Sequence, residues 1–218
     1  MGVEGQFLEQ LKRPDLTDDE ITAILRDPEA RRFHAVRLGL ARHRNTPRPD
    51  ALALVETLFW RDLAHLSADS RVHAEVRRAA DTELLRRLPE MAVAERIDLA
   101  RNAGRGALLV LRHDPDPRVA AACLENRFAT EPDVIQAALQ PGAASASLEA
   151  IAGHSRWSLR RGVRDALLRN PRLPPASAEA LLDRLTDPEL ERLRSRTDGP
   201  PGVRRIAQRI LARRLRAV

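Results

Sequence analysis

Apolar residues recur along this chain every three or four positions, and the residues between them are mostly polar or charged. Leu54, Leu58, Leu63 and Leu66 show the spacing, which is that of amphipathic helices packed on one face. β-branched residues are sparse, and strict alternation of apolar and polar residues is not sustained, so strand signals are missing. The pattern therefore predicts an all-α fold.

The helical pattern is also repeated within the chain. Residues 34–88 align without a gap on residues 161–215, so that a shift of 127 positions places Pro47 on Pro174, Leu54 on Leu181 and Val76-Arg77-Arg78 on Val203-Arg204-Arg205. A shorter similarity at 44 positions places Val119 on Val163 and Asn126 on Asn170. Self-similarity of this kind is typical of stacked-repeat proteins. We expect Leu40, Cys123 and Leu167, which align with one another, to be buried at equivalent places.

Proline and capping residues mark the ends of the predicted helices. All fifteen prolines lie at apparent helix starts or in turns, where a missing backbone N–H costs nothing. Thr17 with Glu20, and Thr186 with Glu189, have the spacing of capping boxes. These signals predict about a dozen short helices joined by tight turns.

Three segments resemble known helical repeats. Residues 111–124, LRHDPDPRVAAACL, are similar to the helix opening of HEAT-type repeats, in which an Asp-Pro turn precedes a Val-rich helix. Residues 126–139, NRFATEPDVIQAAL, and 170–182, NPRLPPASAEALL, resemble the bacterial leucine-rich repeat variant. The resemblance extends over about two-thirds of the chain, between residue 27 and the C-terminus. It implies a right-handed α-solenoid that scaffolds or binds macromolecules. One such relative holds an iron–sulfur cluster on an N-terminal cysteine group that this sequence lacks, so we expect no cofactor.

Composition fits a folded helical protein. The 218 residues are 43% hydrophobic but only 3% aromatic, as suits thin layers of closely packed helices.

We predict a single domain over 1–218, with an acidic helical lead at 1–30, a repeat body at 31–191 and a basic capping helix at 192–218. The lone Cys123 is expected to pack as a small core residue. Because neither a signal peptide nor a membrane-spanning run is apparent, a soluble cytoplasmic protein is expected.

The net charge is concentrated at the C-terminal end. Residues 192–218 contain nine arginines and one acid, Asp198, whereas the whole chain has a net charge of only +6. The last predicted helix places apolar residues, including Val203, Ile210 and Val218, on one stripe. The opposite face is basic and is a candidate binding surface made of Arg204, Arg205, Arg209, Arg213 and Arg216. A solvated solenoid cap, a dock for an acidic protein and a dock for nucleic-acid phosphates all remain open.

The two tryptophans are the other binding candidates. The shifts of 127 and 44 positions align Trp60 with Asp187, and Trp157 with His113 and Ala30. Since these positions accept small or polar residues, one interpretation is that both rings are partly exposed and available as interface anchors. The alternative is a ring folded over the end of its own helix. Trp157 has Arg156 and Arg160 beside it, which makes this cluster the best internal candidate.

Enzymatic functions receive little support from the sequence. The six histidines show no metal-binding or triad spacing, and glycine-rich phosphate loops are missing. HEAT-like alkylpurine DNA glycosylases have comparable length, but this chain is poorer in aromatic residues. We therefore predict a non-catalytic interaction module or scaffold with an acidic protein partner, no metal, no cofactor and no membrane association. The alternative is non-sequence-specific nucleic-acid binding through the C-terminal arginines.

Overall fold

The structure is a computed structural model that describes residues 2–195 and 199–216. Within these residues the backbone forms sixteen α-helices and one short 3₁₀ helix at Leu88–Glu90, and no strand. The predicted all-α fold is thus confirmed for this part of the chain. The right-handed solenoid arrangement stays a prediction.

The helices fall into two compact units, Met1–Val110 and Leu111–Val218. The first unit contains α1 (Val3–Leu11), α2 (Asp18–Arg26), α3 (Pro28–Arg32), α4 (His34–Arg42), α5 (Arg48–Val55), α6 (Trp60–Ala68), α7 (Ala74–Arg87), α8 (Val93–Asn102) and all but the last residue of α9 (Arg105–Leu111). The second contains α10 (Pro117–Cys123), α11 (Glu131–Leu139), α12 (Ser145–Gly153), α13 (Arg161–Arg169), α14 (Pro175–Leu182), α15 (Asp187–Arg194) and α16 (Pro201–Leu215). The predicted single domain and its segment boundaries stay predictions.

Several helices begin where the sequence signals placed them, although the described residues form sixteen α-helices and not the predicted dozen. Thr17 and Glu20 form a reciprocal capping box at the start of α2, and Thr186 and Glu189 form another at the start of α15. Each box satisfies backbone N–H groups that a helix start otherwise leaves unpaired. Proline occupies one of the first two positions of several helices, α3, α5, α10, α11, α14, α15 and α16. These residues end one helix and start the next, as predicted.

Four consecutive helices of the first unit match four of the second in their first residues. Helices α4, α5, α6 and α7 begin at residues 34, 48, 60 and 74, and α13, α14, α15 and α16 begin at 161, 175, 187 and 201. Each of these starts differs by the same 127 positions. Leu40, Cys123 and Leu167 are all buried, which confirms the predicted placement of these three residues in the core. Superposition of residues 34–88 on 161–215 stays a prediction.

One side-chain contact is also repeated at this spacing. In the first unit, the guanidinium of Arg87 donates hydrogen bonds to the carbonyl oxygens of Leu58 (2.8 Å) and Glu56 (3.0 Å). In the second unit, Arg214 donates to the carbonyl oxygens of Leu185 (2.9 Å) and Asp183 (2.8 Å), all 127 positions further along. Both arginines thereby satisfy carbonyls in the turn between the second and third helices of the segment, α5 and α6 or α14 and α15. The duplicated arginine thus fixes the last helix of each segment, α7 or α16, against that turn.

Glu83, on α7, holds Arg87 in this position. Its buried carboxylate accepts hydrogen bonds from Arg86 (2.6 and 2.7 Å) and from Arg87 (2.6 Å). The hydrogen bond from Arg86, together with that from Arg87, lowers the pKa of Glu83 from 4.5 to about 2. Because the folded state then releases this proton more readily than the unfolded state, the ionised carboxylate stabilises the fold above pH 4.5.

We expect Glu83→Gln to lower the free energy of unfolding at neutral pH by about 1.5–3 kcal/mol, because two guanidinium groups lose their charged acceptor. In the wild type, this contribution should disappear as the pH falls from 4.5 towards about 2, and in the variant that dependence should be weaker. Urea denaturation over this pH range measures both effects. The control is Glu9→Gln, which removes an exposed ion pair with Lys12 and should change little. Equal losses in the two variants would contradict the role given to Glu83.

Candidate protein-binding surfaces

Helix α16 presents a basic surface in the second unit. Val203, Ile206, Ala207, Ile210 and Leu211 are buried along one side of the helix. On the other side, Arg205, Arg209, Arg213 and Arg216 are exposed, while Arg204 is half-buried and makes contacts of its own. We call these five arginines the α16 arginine face. The segregation of apolar and basic residues predicted for this helix is confirmed, whereas Asp198 and Val218 lie outside the described residues.

Acidic residues of the same unit neutralise part of the α16 arginine face. The Nη2 atom of Arg213 lies 2.5 Å from Oδ1 of Asp183, and the Nη1 atom of Arg209 lies 3.9 Å from Oε2 of Glu179. Outside the face, Arg214 pairs with Asp187 at 2.7 Å. Arg213 and Arg209 therefore already face acidic side chains of α14 and its C-terminal cap, and they are poorer binding candidates than the sequence suggested.

Arg205 and Arg216 differ from the other members of the face. Both side chains are exposed, and neither guanidinium makes a hydrogen bond or ion pair with any residue in 2–195 or 199–216. An exposed arginine that has no intramolecular partner keeps its full charge and all five N–H donors for another molecule. These two residues are accordingly the strongest candidates on α16.

The expected exposure of Trp157 is wrong. Its side chain is 1% exposed, and its indole N–H donates a 2.9 Å hydrogen bond to the carbonyl oxygen of Leu124. A buried ring whose polar atom is satisfied belongs to the core. Arg156 stacks on the Trp157 ring with its guanidinium 4.1 Å from the ring centroid, and Arg160 is exposed at the start of α13. The two arginines remain surface residues, but the ring cannot act as an exposed anchor between them.

Trp60 is half-buried, and its neighbour Phe59 is the more accessible aromatic residue. Phe59 is 64% exposed and lies on the ring of His34, with 4.2 Å between the ring centroids. His34 Nε2 lies 2.7 Å from a carboxylate oxygen of Asp62, which fixes the orientation of both rings. Arg61 places its guanidinium 4.9 Å from the centroid of Trp60. This part of the surface combines aromatic and cationic side chains, as protein interfaces do.

Sequence reasoning missed Phe59, although a signal was present. Phe59 is the residue before α6, and its counterpart 127 positions later is Thr186, which caps α15. The residue in this position normally offers an oxygen atom to the backbone N–H groups of the helix start, and phenylalanine cannot. A large apolar residue in a capping position, where Phe59 makes no capping hydrogen bond, indicated that another contact holds it there.

Packing explains the raised pKa values of Cys123 and of the half-buried Asp81. Burial raises the pKa of the Cys123 thiol to about 12, so the thiolate needed for metal binding or nucleophilic attack is disfavoured. Burial likewise raises the pKa of Asp81, whose carboxylate accepts a hydrogen bond from the backbone N–H of Ala107 in α9. The carboxylate also lies so close to Gly106 that a side chain there would collide with it. Asp81 therefore positions the start of α9.

No three His, Cys, Asp or Glu side chains within 2–195 and 199–216 are grouped closely enough to hold a metal ion. None of the helices in these ranges combines the length and apolarity needed to cross a bilayer.

Comparison of the chain with protein-family models, with curated proteins and with solved structures found no match. The resemblance to HEAT-type and leucine-rich variant repeats consequently stays a prediction based on the motifs in the sequence. The candidate surfaces rest on the contacts and charges of this chain alone.

Proposed function

We propose that this protein is a non-catalytic interaction module, built as a right-handed solenoid of helical repeats, that binds an acidic surface of a partner protein through the α16 arginine face. The observation that supports the proposal most directly is the presence of two exposed arginines, Arg205 and Arg216, without a partner among the described residues. A polar capping helix needs no such unpaired charge. An acidic partner would complete their hydrogen bonding and neutralise them.

The distribution of charge between the two units supports the same conclusion. Residues 1–110 contain eighteen basic and eighteen acidic residues, whereas residues 111–218 contain nineteen arginines and thirteen acids, so the whole net charge of +6 lies in the second unit. Long-range attraction of an acidic partner would direct it to this unit and raise the rate of encounter. The α16 arginine face is a basic surface of that unit.

A protein partner fits this surface better than nucleic acid does. The carboxylates of Glu179 and Asp183 lie beside Arg209 and Arg213, so the basic surface is interrupted by negative charge. A phosphate backbone, with its regular spacing of charges, would be repelled at these points. A folded protein, in contrast, can match a surface of mixed sign residue by residue.

The double reversal Arg205→Glu and Arg216→Glu tests the proposal. A peptide of glutamate and glycine, which lacks the apolar side chains that a groove would bind, should bind the wild type, and the variant should bind it at least about tenfold more weakly, since two attractive contacts become repulsive. Calorimetry or fluorescence anisotropy measures the affinity. Arg209 and Arg213 are left unchanged because reversing them would place new acids beside Glu179 and Asp183 and disturb the fold.

The matched control is the double reversal Arg78→Glu and Arg101→Glu. Both residues are exposed in the first unit, and Arg78 occupies on α7 the position that Arg205 occupies on α16. The control should retain the affinity of the wild type. An equal loss of affinity in both variants would mean that binding depends only on the net charge of the protein and not on the α16 arginine face. A DNA duplex that binds more tightly than the peptide, with an affinity that falls steeply with salt and depends on Arg205 and Arg216, would overturn the proposal in favour of nucleic-acid binding.

A further inference from the structure

A separate surface of the first unit has an apolar floor that the chain itself leaves open. Helices α1 and α4 enclose a groove of about 790 Å³, which we call the α1–α4 groove. Its floor is formed by Leu8 and Leu11 from α1 and by Ala35 and Leu38 from α4, and all four are half-buried. Apolar side chains that remain partly in water gain free energy when another apolar surface covers them.

Packing around Gly39 shapes this groove. A Cβ atom at Gly39 would lie 2.9 Å from Cδ1 of Leu11, so the glycine lets α1 approach α4 closely at this end. No residue of α1 is fully buried. Helix α1 therefore packs on α4 but leaves its own leucine side chains partly uncovered.

Basic side chains surround the apolar floor. Lys12, Arg42, Arg44 and Arg71 line the groove, whereas Asp69 is the one acidic residue that does so. Asp69 accepts hydrogen bonds from Arg42 (2.8 Å) and from Arg71 (2.9 and 3.0 Å). A single carboxylate thus orients two guanidinium groups at the rim without neutralising both.

The remaining two cations are also held in place. The Nε atom of Arg44 donates a 3.1 Å hydrogen bond to the carbonyl oxygen of Pro14, which neutralises no charge. Lys12 lines the groove and pairs at 2.5 Å with the exposed Glu9, which does not line it. Counting both acids, the rim keeps an excess of positive charge, and its arginines are oriented before any ligand arrives.

We propose that the α1–α4 groove binds an acidic amphipathic helix of a partner protein. Apolar side chains on one face of that helix would cover Leu8, Leu11 and Leu38, and acidic residues flanking that face would meet the basic rim. This is the arrangement by which a groove between helices accepts a further helix, with anchors at positions i, i+3 or i+4, and i+7. The surface is distinct from the α16 arginine face, so each can be tested without the other.

The test uses a synthetic helical peptide that has leucine at this spacing and glutamate on its flanks. Two matched peptides serve as controls: one with lysine in place of glutamate, and one with the same residues in scrambled order. The first peptide should bind, and its binding should shift the NMR signals of the Leu8, Leu11 and Leu38 methyl groups. The lysine peptide and the scrambled peptide should each bind at least about tenfold more weakly, because one loses the charge match and the other loses the apolar stripe.

Two variants of the protein probe the floor and the rim separately. Ala35→Trp fills the groove, and the double variant Arg44→Glu/Arg71→Glu reverses two exposed charges of the rim. Each variant should bind the glutamate peptide at least about tenfold more weakly than the wild type does. Reversal of Arg26 and Arg31, which are exposed on α2 and α3 away from the groove lining, is the matched control and should leave the affinity unchanged. Circular dichroism checks that all variants keep the helical content of the wild type.

Several results would overturn the proposal. One is equal binding of the lysine and glutamate peptides, and another is unchanged affinity in both groove variants. Binding of a long-chain fatty acid or of anionic lipid vesicles at these methyl groups, without peptide binding, would assign the groove to an amphiphile instead. Concentration-dependent dimerisation that Ala35→Trp abolishes would assign it to a second copy of the chain. The α16 variant Arg205→Glu/Arg216→Glu should bind this peptide through the groove as the wild type does, which separates the two surfaces.

Discussion

Replacing Trp157 by alanine is expected to lower the free energy of unfolding by about 3–5 kcal/mol, which is among the largest costs of a single core truncation. The ring is almost completely buried, and its N–H bonds to the carbonyl oxygen of Leu124. Truncation would open a cavity and leave that carbonyl without its partner. Chemical denaturation of the wild type and the variant measures the difference.

Trp60→Ala is the matched control for this substitution. Trp60 is only half-buried, and its counterpart 127 positions later is the exposed Asp187. Its loss should therefore cost much less. Fluorescence offers a second measurement, because a Trp60→Phe variant leaves Trp157 as the only emitter, with emission at short wavelength and protection from soluble quenchers. An emission typical of a solvated indole would contradict the burial of Trp157.

The exposure of Trp157 was predicted wrongly because alignment within the chain compares residue types and not volumes. Its counterparts are His113 and Ala30, and an alanine was taken to indicate a surface position. Ala30 is itself completely buried. The equivalent position is thus buried in both copies of the repeated pattern, although its side chain is small in one copy and large in the other. Core positions of helical layers accept such differences when neighbouring side chains change with them.

The starts of the duplicated helices, in contrast, could be predicted from the sequence, although the number of helices was underestimated. The apolar period, the prolines and the capping boxes are local signals, and the duplication made each signal visible twice. The helix starts at residues 34 and 161, and at 74 and 201, agree with the gapless alignment. Local patterns of this kind determine where a short helix begins, whatever the helices pack against.

The partners of the surface arginines could not be predicted in the same way. Arg213 pairs with Asp183, thirty residues earlier, and Arg42 pairs with Asp69, twenty-seven residues later. Such contacts depend on which helices become neighbours and on side-chain conformation. The amphipathic pattern of α16 correctly separated apolar from basic residues. It could not distinguish Arg213, which is paired, from Arg205, which has no partner among the described residues.

A core leucine and a neighbouring arginine of α13 should differ sharply in their contributions to stability. Leu167→Ala is expected to cost roughly 2–5 kcal/mol, because Leu167 is fully buried and its removal leaves a cavity between packed helices. Arg164→Ala should cost far less. The Nε atom of Arg164 is buried without a hydrogen-bond partner, as are those of Arg37 and Arg77 at related positions, so truncation also removes an unsatisfied polar group.

Urea denaturation of the two variants provides the comparison, and Leu40→Ala supplies the matched measurement in the first unit, 127 positions earlier. Leu40 is as buried as Leu167 and occupies the same place in α4 that Leu167 occupies in α13. If the duplicated segments pack alike, the two leucine variants should lose similar stability. Equal destabilisation by Arg164→Ala and Leu167→Ala would instead place Arg164 in a buried polar network. The arginine that follows each core valine would then hold neighbouring helices together, and Arg37 and Arg77 should show the same large effect.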